Sequence, residues 1–206
     1  MSLSRWWLAL AGPLLAACDD GLLHAFEPSA SATSGAGPNA PTSPLVIDDF
    51  EDGDPRANEP LGWWYPINDG GGTQGFGIEP VSGRGGSVYA LRTHSSGFED
   101  WAAVGVNLVG DAAPLDASSY AELCLVARVE PGSSSAIEVH LLRGGRHYLE
   151  QLSLTEAWAR RCVSLRGFIG PQEAALEPTD LIALQFFFTP GAPFAFWLDD
   201  VQLVPP

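Results

Sequence analysis

The chain has 206 residues, with 10 basic residues against 25 acidic ones and a formal net charge of −15. All of the basic residues are Arg. A strongly acidic chain without a basic patch argues against nucleic acid as a partner, and also against electrostatic attachment to anionic lipid.

The first 17 residues are predicted to be an export signal. Arg5 supplies the positive charge, and residues 6–15 form an apolar stretch that is too short to span a bilayer. The stretch ends in Leu15-Ala16-Ala17-Cys18, which resembles a bacterial lipobox. We therefore expect Cys18 to carry lipid and to anchor the protein to the cell envelope, in either the inner or the outer membrane. The alternative is an ordinary signal peptide that happens to end near a Cys.

Residues 18–44 are predicted to form a flexible tether. They are mostly Ala, Ser, Pro, Gly and Thr, a composition that buries little apolar surface. A random coil of some 25 residues reaches about 25 to 30 Å, which is enough to lift a domain clear of lipid headgroups. Residues 45–206 are long and apolar enough for a single domain with one core.

This domain is predicted to be all-β. No segment shows a 3.6-residue apolar period, whereas many alternate or form short β-rich runs bounded by Gly, Pro, Asp or Ser. About ten short strands in one domain favour a two-sheet antiparallel β-sandwich of the jelly-roll type. The predicted strands cover residues 45–51, 62–67, 87–94, 102–109, 121–129, 136–142, 147–152, 159–165, 181–188 and 193–203.

Two strands carry specific predictions about which side chains face the core. In residues 136–142 the apolar side chains alternate, so His140 is expected to point outward. In the last strand, Trp197, Val201 and Leu203 are expected to share the core face with Asp199, an acid that would then need a partner.

Cys124 and Cys162 are predicted to form a disulfide. Both lie on predicted strands, and an isolated Cys pair in an exported chain is usually oxidised.

Several segments together resemble galactose-binding-like jelly rolls, above all the family 11 carbohydrate-binding modules and the related complex I intermediate-associated domains. In chain order they are D-D-F-E-D-G-D, G-W-W-Y-P-I-N-D-G-G-G-T-Q, G-G-S-V-Y-A-L-R-T, G-F-E-D-W-A-A-V-G-V, L-D-A-S-S-Y-A-E-L-C-L-V-A-R and F-W-L-D-D-V-Q-L. The chain is also similar to predicted lipoproteins of myxobacteria. The resemblance implies a jelly roll over nearly all of residues 45–206. It leaves the ligand open, because this fold serves sugar binding, protein contact and structural roles alike.

The resemblance also implies a structural Ca²⁺ near the paired ends of the domain. Carried over to this sequence, it gives Glu51 and either Asp199 or Asp200 as ligands, with Asp49 as a further candidate. The residues themselves point the same way, because carboxylates brought together by adjacent first and last strands would repel one another without a cation. The alternative is that these acids are solvated or paired with Arg92.

Sugar-binding sandwiches use aromatic rings that stack on a pyranose and planar polar groups that bond to its hydroxyls. His140 and Tyr148 are the leading candidates, since the turn at residues 143–146 folds their strands together. The other candidates are Arg143, Arg146, Trp101 and Tyr65. For each of them the alternative is packing in the core or at its rim.

The sequence gives little support to catalysis. It has no G-x-S-x-G or H-E-x-x-H motif, and no pair of carboxylates stands out as a glycosidase pair. We therefore predict a non-catalytic lipoprotein that binds a polysaccharide or a cell-envelope glycan. The alternatives are an envelope protein that contacts another protein and, less favoured, a glycan-active enzyme.

Overall fold

The structure is a computed structural model that describes residues 41–109 and 113–206. These residues form an all-β domain with two short 3-10 helices, Leu165–Gly167 and Pro171–Glu173. No helix in the described ranges is long and apolar enough to cross a membrane. The predicted signal, Cys18 and nearly all of the tether lie outside the described residues. The strands are β1 (Leu45–Asp48), β2 (Trp64–Asn68), β3 (Gly75–Pro80), β4 (Tyr89–Ser95), β5 (Ala102–Asn107), β6 (Glu122–Val129), β7 (Ala136–Arg143), β8 (Arg146–Ser153), β9 (Ala159–Ser164), β10 (Leu181–Phe188) and β11 (Phe194–Val204).

The strands form two antiparallel sheets, which confirms the predicted sandwich. One sheet has five strands in the order β2-β5-β10-β7-β8. The other has six, in the order β3-β4-β11-β6-β9, with β1 also paired to β11. The first and last strands of the domain are therefore neighbours, as expected.

The core lies between the sheets and is built by side chains that alternate along the strands, except where a bulge interrupts the pairing. In β10, Leu184, Phe186 and Phe188 point into the core, while Gln185 and Phe187 point away from it. Because successive side chains of a strand face opposite sides, this apolar strand presents one polar and one aromatic side chain on the outer face of the five-stranded sheet.

β3 was not predicted, because Gly75, Gly77 and Pro80 resemble a loop. At Gly75 the missing side chain is a packing requirement: a Cβ there would lie 2.3 Å from Nε2 of His94 on the paired strand β4. β3 is also an edge strand, which tolerates the terminal Pro.

The predicted disulfide is present. Cys124 on β6 and Cys162 on β9 are direct cross-strand partners, and their sulfurs are bonded. The bond ties the edge strand β9 to the sheet. Closing a loop of 38 residues stabilises the fold by about 4 kcal/mol in the chain-entropy model.

The prediction that Trp197 faces the core is wrong. Asp200 has a φ of 46°, and the pairing of β11 with β6 shifts register between Asp199 and Gln202. This bulge reverses the alternation, so Val201 and Leu203 belong to the core cluster whereas Trp197 and Asp199 lie on the outer face of the six-stranded sheet.

A row of alternating Arg and Trp side chains, the Arg–Trp ladder, covers that outer face. Its members are Arg84, Trp158, Arg128, Trp197 and Arg92. Arg128 lies between the two indoles, 5.4 and 5.1 Å from their ring centroids, and the outer guanidinium groups lie 5.9 and 5.4 Å from theirs. Cation–π contacts of this kind contribute about 0.5–1 kcal/mol each. The ladder thus covers part of the outer face of the six-stranded sheet.

Candidate functional site

The acidic segment at the start of the domain is held by Asp48, which was not among the predicted ligands. Its carboxylate accepts hydrogen bonds from the indole of Trp64 and from the backbone N–H of Phe50, both at 2.7 Å. Asp48 is 1% exposed, and burial raises its pKa to about 7 in spite of these two donors. The bonds support Phe50, a buried residue in the left-handed region at φ 58°.

Arg84, from the loop between β3 and β4, pairs with the two acids of the closing strand. Its Nε lies 2.7 Å from Oδ2 of Asp199 without forming an aligned hydrogen bond, and its Nη2 donates to Asp200. Asp199 is fully buried, and burial raises its pKa to about 6, although Arg84 acts in the opposite direction.

Each of the four predicted calcium ligands forms a hydrogen bond or an ion pair within the protein. Glu51 accepts the backbone N–H of Val88 through both oxygens, at 3.0 and 3.1 Å, and the exposed Asp49 accepts the N–H of Glu51 at 3.3 Å. Together with Arg84, Glu51 holds the β3–β4 loop against β1 and β11. The guanidinium of Arg84 offsets one of the two carboxylate charges of Asp199 and Asp200 and lies where a cation would bind, so a calcium ion at this place would have to displace it.

The suggested pairing of the acids with Arg92 is wrong. Arg92 donates to Glu130 at 3.1 Å and lies 3.6 Å from Glu79. Among the described residues, one group of three His, Cys, Asp or Glu side chains has metal-ligand spacing, namely Glu122, Cys124 and Cys162. Its two sulfurs form the disulfide and are not available as thiolates.

The outer face of the five-stranded sheet brings several predicted ligand-binding residues together. The strand register aligns one row across all five strands, from the edge strand β2 to the edge strand β8: Tyr65, Gly105, Gln185, His140 and Leu149. The adjacent row contains Ile67, Ala103, Phe187, Glu138 and Gln151. The absence of a side chain at Gly105 of β5 lets Tyr65 and Gln185 meet across that strand.

His140 lies in the middle of this face, as predicted, and its ring is fixed on three sides. It stacks on Phe187 with ring centroids 4.2 Å apart, and its Nε2 lies 3.1 Å from a carboxylate oxygen of Glu138. Its Nδ1 lies 3.1 Å from Nδ1 of His147. Burial lowers the pKa of His140, while the neighbouring Glu138 acts in the opposite direction.

The expected pairing of Tyr148 with His140 on one open face is wrong. Tyr148 is opposite Leu141 in the β7–β8 register, so its ring points to the opposite side of the sheet. There it is 5% exposed and belongs to the core cluster, with its ring packed against Gly170. His147 takes the place beside His140 that was expected for Tyr148.

The two predicted Arg residues lie at the end of the same hairpin. Arg143 donates to the carbonyl of Thr179 at 2.9 Å and pairs with Glu177 at 3.3 Å. Arg146 is its exposed cross-strand partner. Neither is placed in the rows that contain Tyr65 and His140.

Trp101 stands at the other end of the outer face, just before β5, and is 36% exposed. Its ring is tilted against Phe187, with centroids 5.9 Å apart. Asp69 fixes this position, because its carboxylate accepts the backbone N–H groups of Asp100 at 2.7 Å and of Trp101 at 3.3 Å. These hydrogen bonds lower the pKa of Asp69.

Trp101 and Phe187 line a groove of about 380 Å³. The groove also contains the polar side chains of Asp100, Glu138, Gln151 and Thr189. An exposed indole beside carboxylate and amide groups is the combination that a pyranose requires, because one face of the sugar is apolar and its rim carries hydroxyls.

Gln185 adds an unsatisfied acceptor in the row next to this groove. The residue is 7% exposed, and its amide nitrogen donates a long hydrogen bond of 3.5 Å to the hydroxyl of Tyr65. Its Oε1 is buried without a partner among the described residues. A buried acceptor left unpaired costs about 1–3 kcal/mol.

Sequence reasoning missed Gln185, Phe187 and His147. Gln185 is the one polar residue in L-I-A-L-Q-F-F-F, which marks it as exceptional once that run is assigned to a strand. His147 follows from the register of the hairpin turn. Phe187 carried no such signal, because it is flanked by Phe186 and Phe188 in an apolar run.

Comparison with known proteins supports the fold. Neither the protein-family models nor the curated proteins contain a match. Among solved structures, the chain is similar to the family 11 carbohydrate-binding module of the cellulosomal cellulase Lic26A-Cel5E of Clostridium thermocellum, with 12% identity and a TM-score of 0.54 over 80% of this chain and 95% of that one.

Two further structures share the architecture. The CBM22-1 xylan-binding domain of Xyn10C from Paenibacillus barcinonensis has 15% identity and a TM-score of 0.51, covering 81% of this chain and 99% of that domain. An exo-beta-agarase has 11% identity and a TM-score of 0.60 over 78% of this chain, but this covers only 25% of the agarase. At these identities the likeness establishes the fold alone: this domain is a two-sheet jelly roll of the kind found in carbohydrate-binding modules.

Proposed function

We propose that this protein is a lipid-anchored envelope lipoprotein whose jelly-roll domain binds carbohydrate without catalysing its cleavage. The ligand would be a polysaccharide or a cell-envelope glycan, and it would lie across the outer face of the five-stranded sheet. The observation that carries this proposal is the exposed ring of Trp101, held by Asp69 at the edge of a groove lined with carboxylate and amide groups.

Three further features support the same site. Oε1 of Gln185 is a buried acceptor without a partner among the described residues, and a side-chain movement that exposed it would let it accept a hydrogen bond from a sugar hydroxyl. Gly105 lets the side chain of Gln185 pack over β5, since a Cβ there would lie 2.8 Å from Cγ of Gln185. The similar solved structures include a family 11 module in complex with a beta-1,3-1,4-mixed-linked tetrasaccharide, with 13% identity and a TM-score of 0.54 over 79% of this chain and 95% of that one.

The test is calorimetry with short oligosaccharides of β-glucan, xylan, mannan, agarose and peptidoglycan. We expect modest affinity for one class, in the micromolar to millimolar range of shallow sites with few contacts. Trp101→Ala should weaken binding about five- to tenfold, because an aromatic stacking contact contributes about 1 kcal/mol or slightly more.

Trp63→Ala is the matched control. Trp63 is 55% exposed, but it lies beside Asn107, at the opposite end of β5 from Trp101 and about 20 Å away along the strand. The Trp63→Ala substitution should therefore leave the affinity for a trisaccharide bound at Trp101 unchanged. If no glycan class binds, or if Trp101→Ala binds as well as wild type, the sugar-binding proposal fails.

A second candidate function is protein contact, and it rests on an apolar pair at the β8 edge of the same sheet. Leu149 on β8 and Ile169 are 39% and 41% exposed, and their backbones are paired through two hydrogen bonds of 3.0 Å. Exposed apolar side chains at a sheet edge are typical of surfaces that receive a partner. This function would be favoured if no glycan class binds and if the wild-type protein captures a protein partner that the Leu149→Asp variant does not bind.

A further inference from the structure

We propose that His140 and His147 form a binding site for a divalent transition-metal ion such as Zn²⁺, Cu²⁺ or Ni²⁺. The site lies on the outer face of the five-stranded sheet, but the inference does not depend on sugar binding. It rests on the way in which the two imidazoles face each other.

The hydrogen bond to Glu138 determines which nitrogen of His140 is available. An ionised carboxylate can only accept, so the contact of 3.1 Å requires a proton on Nε2 of His140. In the neutral ring Nδ1 then carries a lone pair. A carboxylate behind a metal-binding His is the usual arrangement that fixes both its tautomer and its orientation.

The lone pair of His140 points at a second nitrogen of the same kind. Nδ1 of His147 lies 3.1 Å from Nδ1 of His140, and the ring planes stand at 85° to each other. Two nitrogens this close need either a proton or a metal ion between them. Two nitrogens bound to one tetrahedral zinc at about 2.0–2.1 Å would lie about 3.3 Å apart, so only a small adjustment is needed.

The two ligands differ in a way that suits metal capture. His140 is 8% exposed and held by Phe187 and Glu138, so it is preorganised. His147 is exposed on the adjacent strand and is free to rotate toward the ion. Imidazole nitrogens favour zinc, copper and nickel over calcium and magnesium, which prefer oxygen ligands.

The experiment is a titration of the full-length chain, purified without a polyhistidine tag, with ZnCl₂ alone. We expect one zinc equivalent to bind and to be lost in His147→Ala, whose exposed side chain is not needed for folding. Glu138→Gln should weaken binding about tenfold or more, the usual effect of removing the carboxylate behind a ligating His. His94→Ala is the matched control, because His94 lies on β4 in the other sheet, and it should retain the site.

Wild-type protein that binds no zinc, or a His147→Ala variant that binds it as wild type does, would overturn the proposal. Carbethoxylation followed by peptide mass spectrometry gives a readout without any substitution. Zinc should protect His140 and His147, whereas equal modification with and without zinc would contradict the site.

Discussion

At the scale of single residues, Asp48 shows how one carboxylate organises the start of the domain. It accepts hydrogen bonds from the indole N–H of Trp64 and the backbone N–H of Phe50. The aromatic rings of these two residues pack in the core with their centroids 5.3 Å apart. Burial raises the pKa of Asp48 to about 7, because it destabilises the ionised carboxylate relative to the protonated form.

The raised pKa makes stability depend on pH in a definite direction. The folded state binds this proton more tightly than the unfolded state, whose carboxyl has a pKa near 3.8. The resulting stabilisation is complete below pH 3.8 and is lost as pH rises through about 7. We expect the free energy of unfolding of wild type, relative to Asp48→Asn, to fall between about pH 4 and pH 8, by up to about 4 kcal/mol.

Urea denaturation of both proteins across that range measures this difference. Subtracting the two free energies of unfolding removes the contributions of other titrating groups, which are present in both proteins. The raised pKa of Asp199 makes stability fall with pH, as that of Asp48 does, whereas the lowered pKa of His140 makes it rise. A constant difference between wild type and Asp48→Asn would show that Asp48 has an ordinary pKa.

The residue scale also shows what the sequence could have predicted. The two-residue turn Gly144–Gly145 sets Arg143 opposite Arg146, and the same register puts Tyr148 opposite Leu141 and therefore in the core. That error was avoidable from the sequence. The orientation of Trp197 was not, because it depends on a bulge at Asp200 that the alternation of side chains does not reveal.

At the scale of elements, the loop between β3 and β4 is held by charges that first suggested a metal site. Arg84 forms an ion pair with the fully buried Asp199, and its guanidinium carbon lies 5.9 Å from the ring centroid of Trp158. A buried acid without its counter-charge is costly, so the ion pair accounts for why this Gly-rich loop lies against the sheet.

Arg84→Ala should lower the free energy of unfolding by about 3 kcal/mol, because it leaves the Asp199 carboxylate buried and unpaired. Adding Asp199→Asn should restore part of this loss. Arg56→Ala is the control, since it removes an exposed pair with Glu59 whose contribution is below about 1 kcal/mol. Chemical denaturation measures all of these variants. If the loss in Arg84→Ala is no larger than in Arg56→Ala, the ion pair is not structural.

The calcium prediction is tested on the same proteins. We expect calcium and chelators to leave the melting temperature of wild type unchanged, and calcium to raise that of Arg84→Ala, in which Asp199 and Asp200 have lost their cation. A wild-type melting temperature that falls with chelator and recovers with calcium would mean that the ion displaces Arg84, as the resemblance to family 11 modules implies.

At the scale of the whole molecule, the fold was predictable and the site was predictable only in part. Ten runs of alternating or β-rich residues sufficed for the sandwich, and only β3 was missed, since its glycines resemble a turn. The site needed the register of five strands at once, because Tyr65, Gln185 and His140 are far apart in the sequence and meet only across the sheet.

The predicted lipid anchor also belongs to this scale. Cys18→Ser should shift the protein from the membrane fraction to the soluble fraction, because acyl chains contribute about 0.8 kcal/mol per buried methylene and the substitution removes their attachment point. Fractionation followed by immunoblotting measures this, with the matched change Ser31→Ala in the predicted tether as the control. A Cys18→Ser protein that stays with the membrane would show that something else holds it there.

The pairing of β1 with β11 has a mechanical consequence for a tethered domain. Any pull on the chain that precedes Leu45 reaches β1 first, and this four-residue strand is the shortest in the described fold and pairs with β11 alone. It is thus the natural first point of rupture under load. Immediately behind it, the Asp48 carboxylate fastens the backbone of Phe50 to the indole of Trp64. If a bound glycan and a membrane anchor pull on this protein in opposite directions, the two hydrogen bonds of Asp48 must break before the sandwich opens.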